Sequence, residues 1–141
     1  MLSVMSSIKM VRKIGCFLLL MVAFSATFAL AADTPNPHEV PGVDGGLGTC
    51  SIEFTAKDAS GAALYNAKIR VHIATGFLGV KKTDLEVGTN VDGKARFTGL
   101  PNKTKFPLEF NAQQGELAAT FTYTPTKECT PQQETINLKK P

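Results

Sequence analysis

The sequence predicts an all-β fold, a seven-stranded antiparallel β-sandwich preceded by a cleaved signal peptide. From Thr49 onward, apolar and polar residues alternate in short segments, which is the pattern of half-buried strands. Turn-forming residues separate these segments at intervals of about 8 to 12 residues, and no segment shows helical periodicity. Short strands in this order are typical of two packed antiparallel sheets.

The N-terminal segment has the organisation of a signal peptide. Lys9, Arg12 and Lys13 precede an uncharged apolar run of about 17 residues, and Ala29–Ala31 supplies the small residues of a cleavage site. We therefore expect residues 1–31 to be removed on export, with translation starting at Met1 or Met10. An uncleaved anchor helix is the alternative, although the run is at the short end of what spans a bilayer. Cleavage would leave a secreted or periplasmic chain with no integral membrane segment.

Removal of the signal peptide changes the charge balance of the chain. The three basic residues of residues 1–31 are among 15 in the whole sequence, whereas none of the 12 acidic residues lies there. The mature chain is therefore formally neutral, and its charge gives no reason to expect nucleic acid as a partner. Since no phosphate-binding or metal-binding motif is present, we expect no cofactor and no metal.

The mature chain divides into an arm and one domain. Residues 32–48 contain three prolines, four glycines and no apolar periodicity, so we expect a flexible tether or a loosely docked arm. The β-sandwich domain is predicted over residues 49–141.

Seven segments of the domain alternate between apolar and polar residues. They are 50–57, 67–74, 81–89, 94–100, 105–112, 116–124 and 134–140. The residues predicted to face the core are Cys50, Ile52, Phe54 and Ala56, then Ile69, Val71 and Ile73, Leu85 and Val87, Phe97, Phe106, Leu108 and Phe110, Leu117, Ala119, Phe121 and Tyr123, and Ile136 and Leu138. The fifth segment contains Pro107, which has no N–H group, so this strand should lie at a sheet edge or pair weakly there.

Two cysteines remain after signal cleavage, Cys50 and Cys129. An even number of cysteines in an oxidising compartment predicts a disulfide bond between them. Closing so long a loop would stabilise the fold by about 4 kcal/mol in the chain-entropy model. Free or metal-bound thiols are the alternative, but His38 and His72 show no ligand spacing.

Two stretches of the domain resemble a known family. They are "IEFTAKDASGAALYNAKIRVHI" and "TNVDGKARFTGLP", and together they cover roughly residues 50–101. They resemble carboxypeptidase-regulatory-like domains, which have a transthyretin-like (prealbumin-like) sandwich related in shape to immunoglobulin domains. The resemblance implies an accessory, adhesion or carbohydrate-contacting module. The chain ends in "NLKKP" and lacks the Tyr-Arg-Gly-Ser ending of the transthyretin-like hydrolases of purine breakdown.

The candidate ligand-binding segment is the loop that follows the second strand. Its candidate contact residues are Phe77, Leu78, Lys81, Lys82 and Asp84. An aromatic side chain on a glycine-flanked loop beside charged residues is suited to contact a sugar, a peptide or a lipid. In the alternative interpretation, Phe77 and Leu78 fold back and close the end of the sandwich.

Three other sites are weaker candidates. Lys68, Arg70 and His72 form an outward cationic row, which is either an anion site or a solvated face with acidic partners such as Glu53. Asn90 and Asp92 resemble part of a calcium loop, but both ends of an EF-hand motif are missing, so an Asp-Gly turn is favoured. Asn102 begins a glycosylation sequon that matters only in a glycosylating host.

The sequence gives little support for catalysis. No G-x-S-x-G motif surrounds Ser51 or Ser60, and a hydrolase would need a pocket around His72. We therefore expect a non-catalytic exported module that binds a partner protein or an envelope carbohydrate. The alternative is a structural or assembly protein of the envelope that pairs through its proline-bearing edge strand or its arm.

Signal cleavage gives a direct prediction. When the full chain is expressed in an export-competent bacterium, the purified protein should begin at Ala32, because Ala31 ends the small-residue motif. Intact-mass spectrometry and N-terminal sequencing measure this. Retention of residues 1–31 in the purified protein would contradict the assignment.

Overall fold

The computed structural model describes residues 34–141 as two four-stranded β-sheets. The predicted signal peptide, residues 1–31, lies outside the described residues. Within residues 34–141, no helix has the length and apolar character needed to cross a membrane.

Eight strands and one 3-10 turn make up the described chain. They are β1 (Gly42–Asp44), β2 (Cys50–Lys57), β3 (Lys68–Thr75), the 3-10 turn (Phe77–Gly79), β4 (Lys81–Gly88), β5 (Lys94–Leu100), β6 (Leu108–Gln114), β7 (Leu117–Tyr123) and β8 (Gln132–Asn137). The first sheet has the order β1-β5-β2-β8 and the second has the order β4-β3-β6-β7. The all-β sandwich predicted from alternation is therefore present.

The strand count and the strand directions differ from the prediction. There are eight strands, because Gly42–Asp44 of the predicted flexible arm pairs with β5 as β1. The first sheet is mixed, because β1 runs parallel to β5 and β8 runs parallel to β2, while the second sheet is antiparallel throughout. Alternation within a segment reports burial and not the direction of its neighbours, so the parallel pairs had no sequence signal.

The turn before β5 attaches the arm to the domain. The buried Asn90 accepts hydrogen bonds through Oδ1 from the backbone N–H groups of Asp92 (3.0 Å) and Lys94 (2.9 Å). Its Nδ2 donates to the carbonyl oxygens of His38 (3.0 Å) and Glu39 (3.2 Å).

The same turn requires a glycine. Gly93 has a φ of +73°, and a Cβ there would lie 2.5 Å from the Ala56 carbonyl oxygen. The Asp-Gly turn interpretation is therefore the one the structure shows, since the Asn90 oxygen is occupied by the turn.

Aromatic rings from both sheets meet in the core. The ring of Phe54 on β2 lies 6.0 Å from Phe97, 4.8 Å from Phe110 and 5.4 Å from Phe121, measured between centroids. Phe97 lies 5.0 Å from Phe110. Phe54, Phe97 and Phe110 are fully buried, so they carry most of the packing between the sheets.

Most of the predicted core residues are buried, Val87, Leu117, Ala119 and Phe121 are partly buried, and one residue is exposed. Leu108 and Phe110 are buried as predicted, but Phe106 is 70 % exposed. β6 begins only at Leu108, so Phe106 lies in the preceding loop and not on the inward face of a strand.

Pro107 shortens the pairing of β6 with β3 but does not place β6 at the edge of the sheet. β6 lies inside the second sheet, between β3 and β7, so the edge placement of this strand was wrong, whereas the alternative of weak pairing near Pro107 agrees with the register. The β3–β6 pairing reaches only from Lys68 opposite Gln113 to Val71 opposite Phe110. Pro107 stands immediately before β6 and donates no N–H, and the chain leaves the sheet there.

Cys50 and Cys129 are joined by a disulfide bond, as predicted. It ties the start of β2 to the loop before β8, at a separation of 79 residues. Disulfide bonds of this kind persist in oxidising compartments.

Loss of the central aromatic ring should destabilise the fold. We expect Phe54→Ala to lower the free energy of unfolding by about 3–5 kcal/mol, because it leaves a cavity among three neighbouring rings. Phe77→Ala is the matched control, since Phe77 is 86 % exposed and its loss should change stability by no more than about 0.5 kcal/mol. Chemical denaturation of both variants measures the difference, and equal effects would contradict this assignment of the core.

Candidate functional site

Four loops meet at one end of the sandwich, which we call the loop end. They are residues 45–49, 76–80, 101–107 and 124–131. The pairings of Cys50 with Leu100, Thr75 with Lys81 and Leu108 with Tyr123 bring the adjoining strand ends together there. The disulfide bond lies at the same end. The loop end therefore contains loops from both sheets, and the disulfide bond fixes two of these segments to each other.

The loop between β3 and β4 displays apolar side chains. Phe77, Leu78 and Val80 are 86 %, 83 % and 80 % exposed. Leu78 has a left-handed backbone (φ 59°), a conformation that costs a non-glycine residue about 1 kcal/mol or more. Gly76 and Gly79 also have positive φ, and Gly79 N–H donates to the Gly76 carbonyl at 3.2 Å. The tight turn points these side chains outward, so the fold-back interpretation of Phe77 and Leu78 was wrong.

The loop between β5 and β6 adds a second aromatic residue to this end. Phe106 is exposed, and the Lys105 Nζ lies 5.4 Å from its ring centroid, in the range of a cation–π contact. Asn102 holds the start of the loop in place, because its Oδ1 accepts from Thr49 N–H (3.0 Å) and its Nδ2 donates to Thr49 Oγ1 (2.9 Å). Four of the six large apolar side chains that are exposed within residues 34–141 thus lie on two loops of one end.

A cleft of about 460 Å³ lies between these two loops. It exists because His72–Thr75 of β3 pair with β4 on one side but have no β6 partner on the other. Its walls are His72, Ala74, Thr75, Gly76, Leu78, Gly79 and the segment from Lys103 to Leu108. The early end of the β3–β6 ladder at Pro107 therefore opens the surface next to the exposed apolar residues.

Four lysines lie next to the apolar residues of the loop end in the sequence. Lys81 and Lys82 follow Val80 directly, and Lys103 and Lys105 precede Phe106 in the loop between β5 and β6. None of the ion pairs formed within residues 34–141 involves any of these four lysines. Four of the five candidate ligand residues, Phe77, Leu78, Lys81 and Lys82, therefore lie together at the loop end.

Asp84 has a different environment from the other four candidates. It lies opposite His72 in the β3–β4 register, and its carboxylate is hydrogen-bonded to His72 Nδ1. The next pair along, Arg70 and Glu86, is bonded from Nε to Oε2 at 2.8 Å. Hydrogen bonding to Glu86, followed by its charge, raises the pKa of Arg70.

Two residues of the cationic row on β3, Arg70 and His72, are thus part of a solvated face with acidic partners, while Lys68 lies opposite Gly88. Those partners are Asp84 and Glu86 on the neighbouring strand β4. Glu53 was the partner suggested from the sequence, but it lies in the other sheet and binds Arg96 of β5, with Nη2 to Oε2 at 2.6 Å. Strand order could not be read from alternation, so the sequence could not assign these partners.

Catalytic geometry is not seen among the described residues. His72 lines the cleft at the loop end, where its Nδ1 is bonded to Asp84, but Ser51 is on β2 of the first sheet. Ser60 Oγ donates to Asp58 in a turn between β2 and β3. Within residues 34–141, no serine–histidine hydrogen bond is formed, and no three His, Cys, Asp or Glu side chains converge on a common point.

Sequence reasoning missed Phe106, Lys103 and Lys105 as members of this surface. Alternation placed Phe106 in phase with Leu108 and Phe110, so it was assigned to the core. The available signal was Pro107, since a strand seldom continues through proline. The two lysines on either side of Thr104 also favour a solvated loop.

Comparisons with known proteins give no family. No protein-family model matches the chain, and no functionally curated protein matches it. Among solved structures, the wild-type catechol 1,2-dioxygenase from Acinetobacter radioresistens is similar at 13 % identity and a TM-score of 0.47, over 74 % of this chain and 59 % of that chain. The catechol 1,2-dioxygenase from Acinetobacter sp. ADP1 is similar at 12 % identity and 0.48, over 72 % and 59 %.

A pilin domain is also among the similar structures. The C-terminal domain of the shaft pilin SpaA from Lactobacillus rhamnosus GG has 12 % identity and a TM-score of 0.40, over 64 % of this chain and 98 % of that chain. The chain spans only 59 % of the length of the dioxygenases. Likenesses this distant carry no argument about activity, ligand or partner.

Proposed function

We propose that the chain is an exported, non-catalytic β-sandwich module that binds a component of the cell envelope through its loop end. In this proposal it is a diverged carboxypeptidase-regulatory-like domain, released by cleavage of residues 1–31. The disulfide bond between Cys50 and Cys129 supports an oxidising compartment. The arrangement of His72, Ser51 and Ser60 on separate parts of the molecule favours binding over hydrolysis.

The single observation that carries the proposal is the exposure of Phe77, Leu78, Val80 and Phe106 on adjacent loops. Large apolar side chains lose favourable burial when they stay in water, by about 1.5–3 kcal/mol for each one. The left-handed backbone of Leu78 adds a further cost. Clustered exposure of this kind marks interaction surfaces.

The chemistry of the loop end favours a protein partner over a carbohydrate. Leu78 and Val80 are aliphatic and suit an apolar pocket, whereas sugar sites rely on aromatic faces and fixed polar groups. An apolar centre with lysines next to it is complementary to a partner with an apolar pocket and an acidic border. Carbohydrate binding is the second candidate, which Phe77 and Phe106 as a pair of exposed rings support.

Photocrosslinking tests where the partner binds. A benzophenone amino acid replacing Phe77 in the exported chain should form a discrete adduct in intact cells, because Phe77 lies at the centre of the proposed contact. The same group replacing Tyr65, which is 62 % exposed at the opposite end of the sandwich, is the matched control and should not form that adduct. Equal adducts from both positions would contradict the assignment of the loop end.

Affinity measurements then test the named residues. Phe77→Ala combined with Lys82→Ala should weaken binding to the crosslinked protein, or to a hit on a glycan array, by about tenfold or more, as expected for removal of an interface anchor. Tyr65→Ala should leave the affinity unchanged. Binding that survives the double substitution would remove these residues from the site.

A further inference from the structure

The free edges of the two sheets differ in how they are protected. An edge strand offers unpaired backbone groups to other chains, and proteins usually block such pairing with charge, proline, bulges or short length. β1 has three residues. β4 carries Lys81, Lys82, Asp84 and Glu86, and β8 carries Glu134. β7, the remaining edge, has the sequence Leu-Ala-Ala-Thr-Phe-Thr-Tyr and contains no charged residue, no proline and no glycine.

The outer side of β7 is already competent for strand pairing. Ala118 N–H donates to the Lys139 carbonyl at 2.9 Å, and Lys139 N–H donates back to Ala118 at 3.1 Å. Ala118 therefore directs its backbone groups away from β6, and by alternation so do Thr120 and Thr122. Within residues 34–141, these two bonds at Ala118 are the only main-chain hydrogen bonds on the outer side of β7.

The unpaired part of this edge is nearly symmetric in sequence. Residues 120–124 read Thr-Phe-Thr-Tyr-Thr, and the three threonines are exposed on one face. In an antiparallel copy of the same segment centred on Thr122, threonine lies opposite threonine and Phe121 lies opposite Tyr123. Cross-strand pairs of these types are favourable, and no like charges are brought together.

We infer that a second copy of this chain pairs with β7, antiparallel and two-fold symmetric about Thr122, so that the two four-stranded sheets form one continuous sheet. The symmetric register gives two main-chain hydrogen bonds at the Thr122 pair, and about four more if the ladder extends one residue beyond β7 so that Thr120 pairs with Thr124. It also avoids Ala118, whose groups are taken by Lys139. An isologous contact of this kind closes as a dimer and does not propagate. The inference is argued from the edge of β7 and does not depend on the exposed apolar residues Phe77, Leu78, Val80 and Phe106.

Proline substitution at the centre of the edge tests the inference. The exported wild-type chain should show a concentration-dependent monomer–dimer equilibrium by sedimentation equilibrium. Thr122→Pro should raise the dissociation constant of the dimer at least about tenfold, because it removes the N–H at the two-fold axis without removing a bond to β6. Thr122→Val is the matched control, since it keeps the N–H and the β-branched shape, and it should dimerise like the wild type.

Amide hydrogen exchange of the wild type gives a second measurement that does not rely on a variant. The Thr120 and Thr122 amides should exchange more slowly as protein concentration rises, while exchange of the amides of residues 76–80 should not change with concentration. A wild type that stays monomeric with concentration-independent exchange overturns the inference. So does a folded Thr122→Pro variant that still dimerises, or an edge that pairs only with a different protein.

Discussion

The aromatic contact between the sheets fills the core and so allows apolar residues of the loops to remain exposed. Phe54 reaches from the first sheet into the rings of Phe110 and Phe121 on the second, and Phe97 packs beside it. Once these rings meet, side chains from the strands fill most of the interior, and Leu64, Ala67 and Leu138 from outside the strands complete it. The core therefore has no need of the apolar residues on the loops 76–80 and 101–107, and Phe77 and Phe106 remain in water. The exposed apolar surface is a consequence of a core that is complete without it.

The disulfide bond and the arm turn this packing into a fixed scaffold. Cys129 anchors the loop after β7 to the start of β2, and Asn90 binds the arm through two carbonyl groups. The disulfide bond and the Asn90 hydrogen bonds thus hold the loop after β7 and the arm, which both lack apolar periodicity of their own. A rigid base is what a loop-based binding surface requires, because ordering flexible loops on binding weakens affinity.

Much of the fold could be predicted from the sequence because burial on a strand alternates residue by residue. The inward faces of β2 and β3 follow this alternation without exception, from Cys50 to Ile73. Strand order and direction could not be predicted, because alternation does not show which strands become neighbours. The pairing of Glu53 with Arg96 and of Arg70 with Glu86 depends on that order. Phe106 was misassigned for a related reason: it keeps the phase of a strand that begins two residues later. The candidate loop was located through its glycines, but alternation could not decide whether Phe77 points inward or outward.

The central claim is that the sandwich core is complete without the exposed apolar residues of the loop end, which are Phe77, Leu78, Val80 and Phe106. The chain contains no tryptophan, so a single Phe77→Trp substitution reports on that position alone. The account predicts the red-shifted fluorescence of a hydrated indole, full quenching by iodide and unchanged stability. Blue-shifted emission protected from iodide in the isolated monomer would show that residue 77 packs into the sandwich, and would contradict the account.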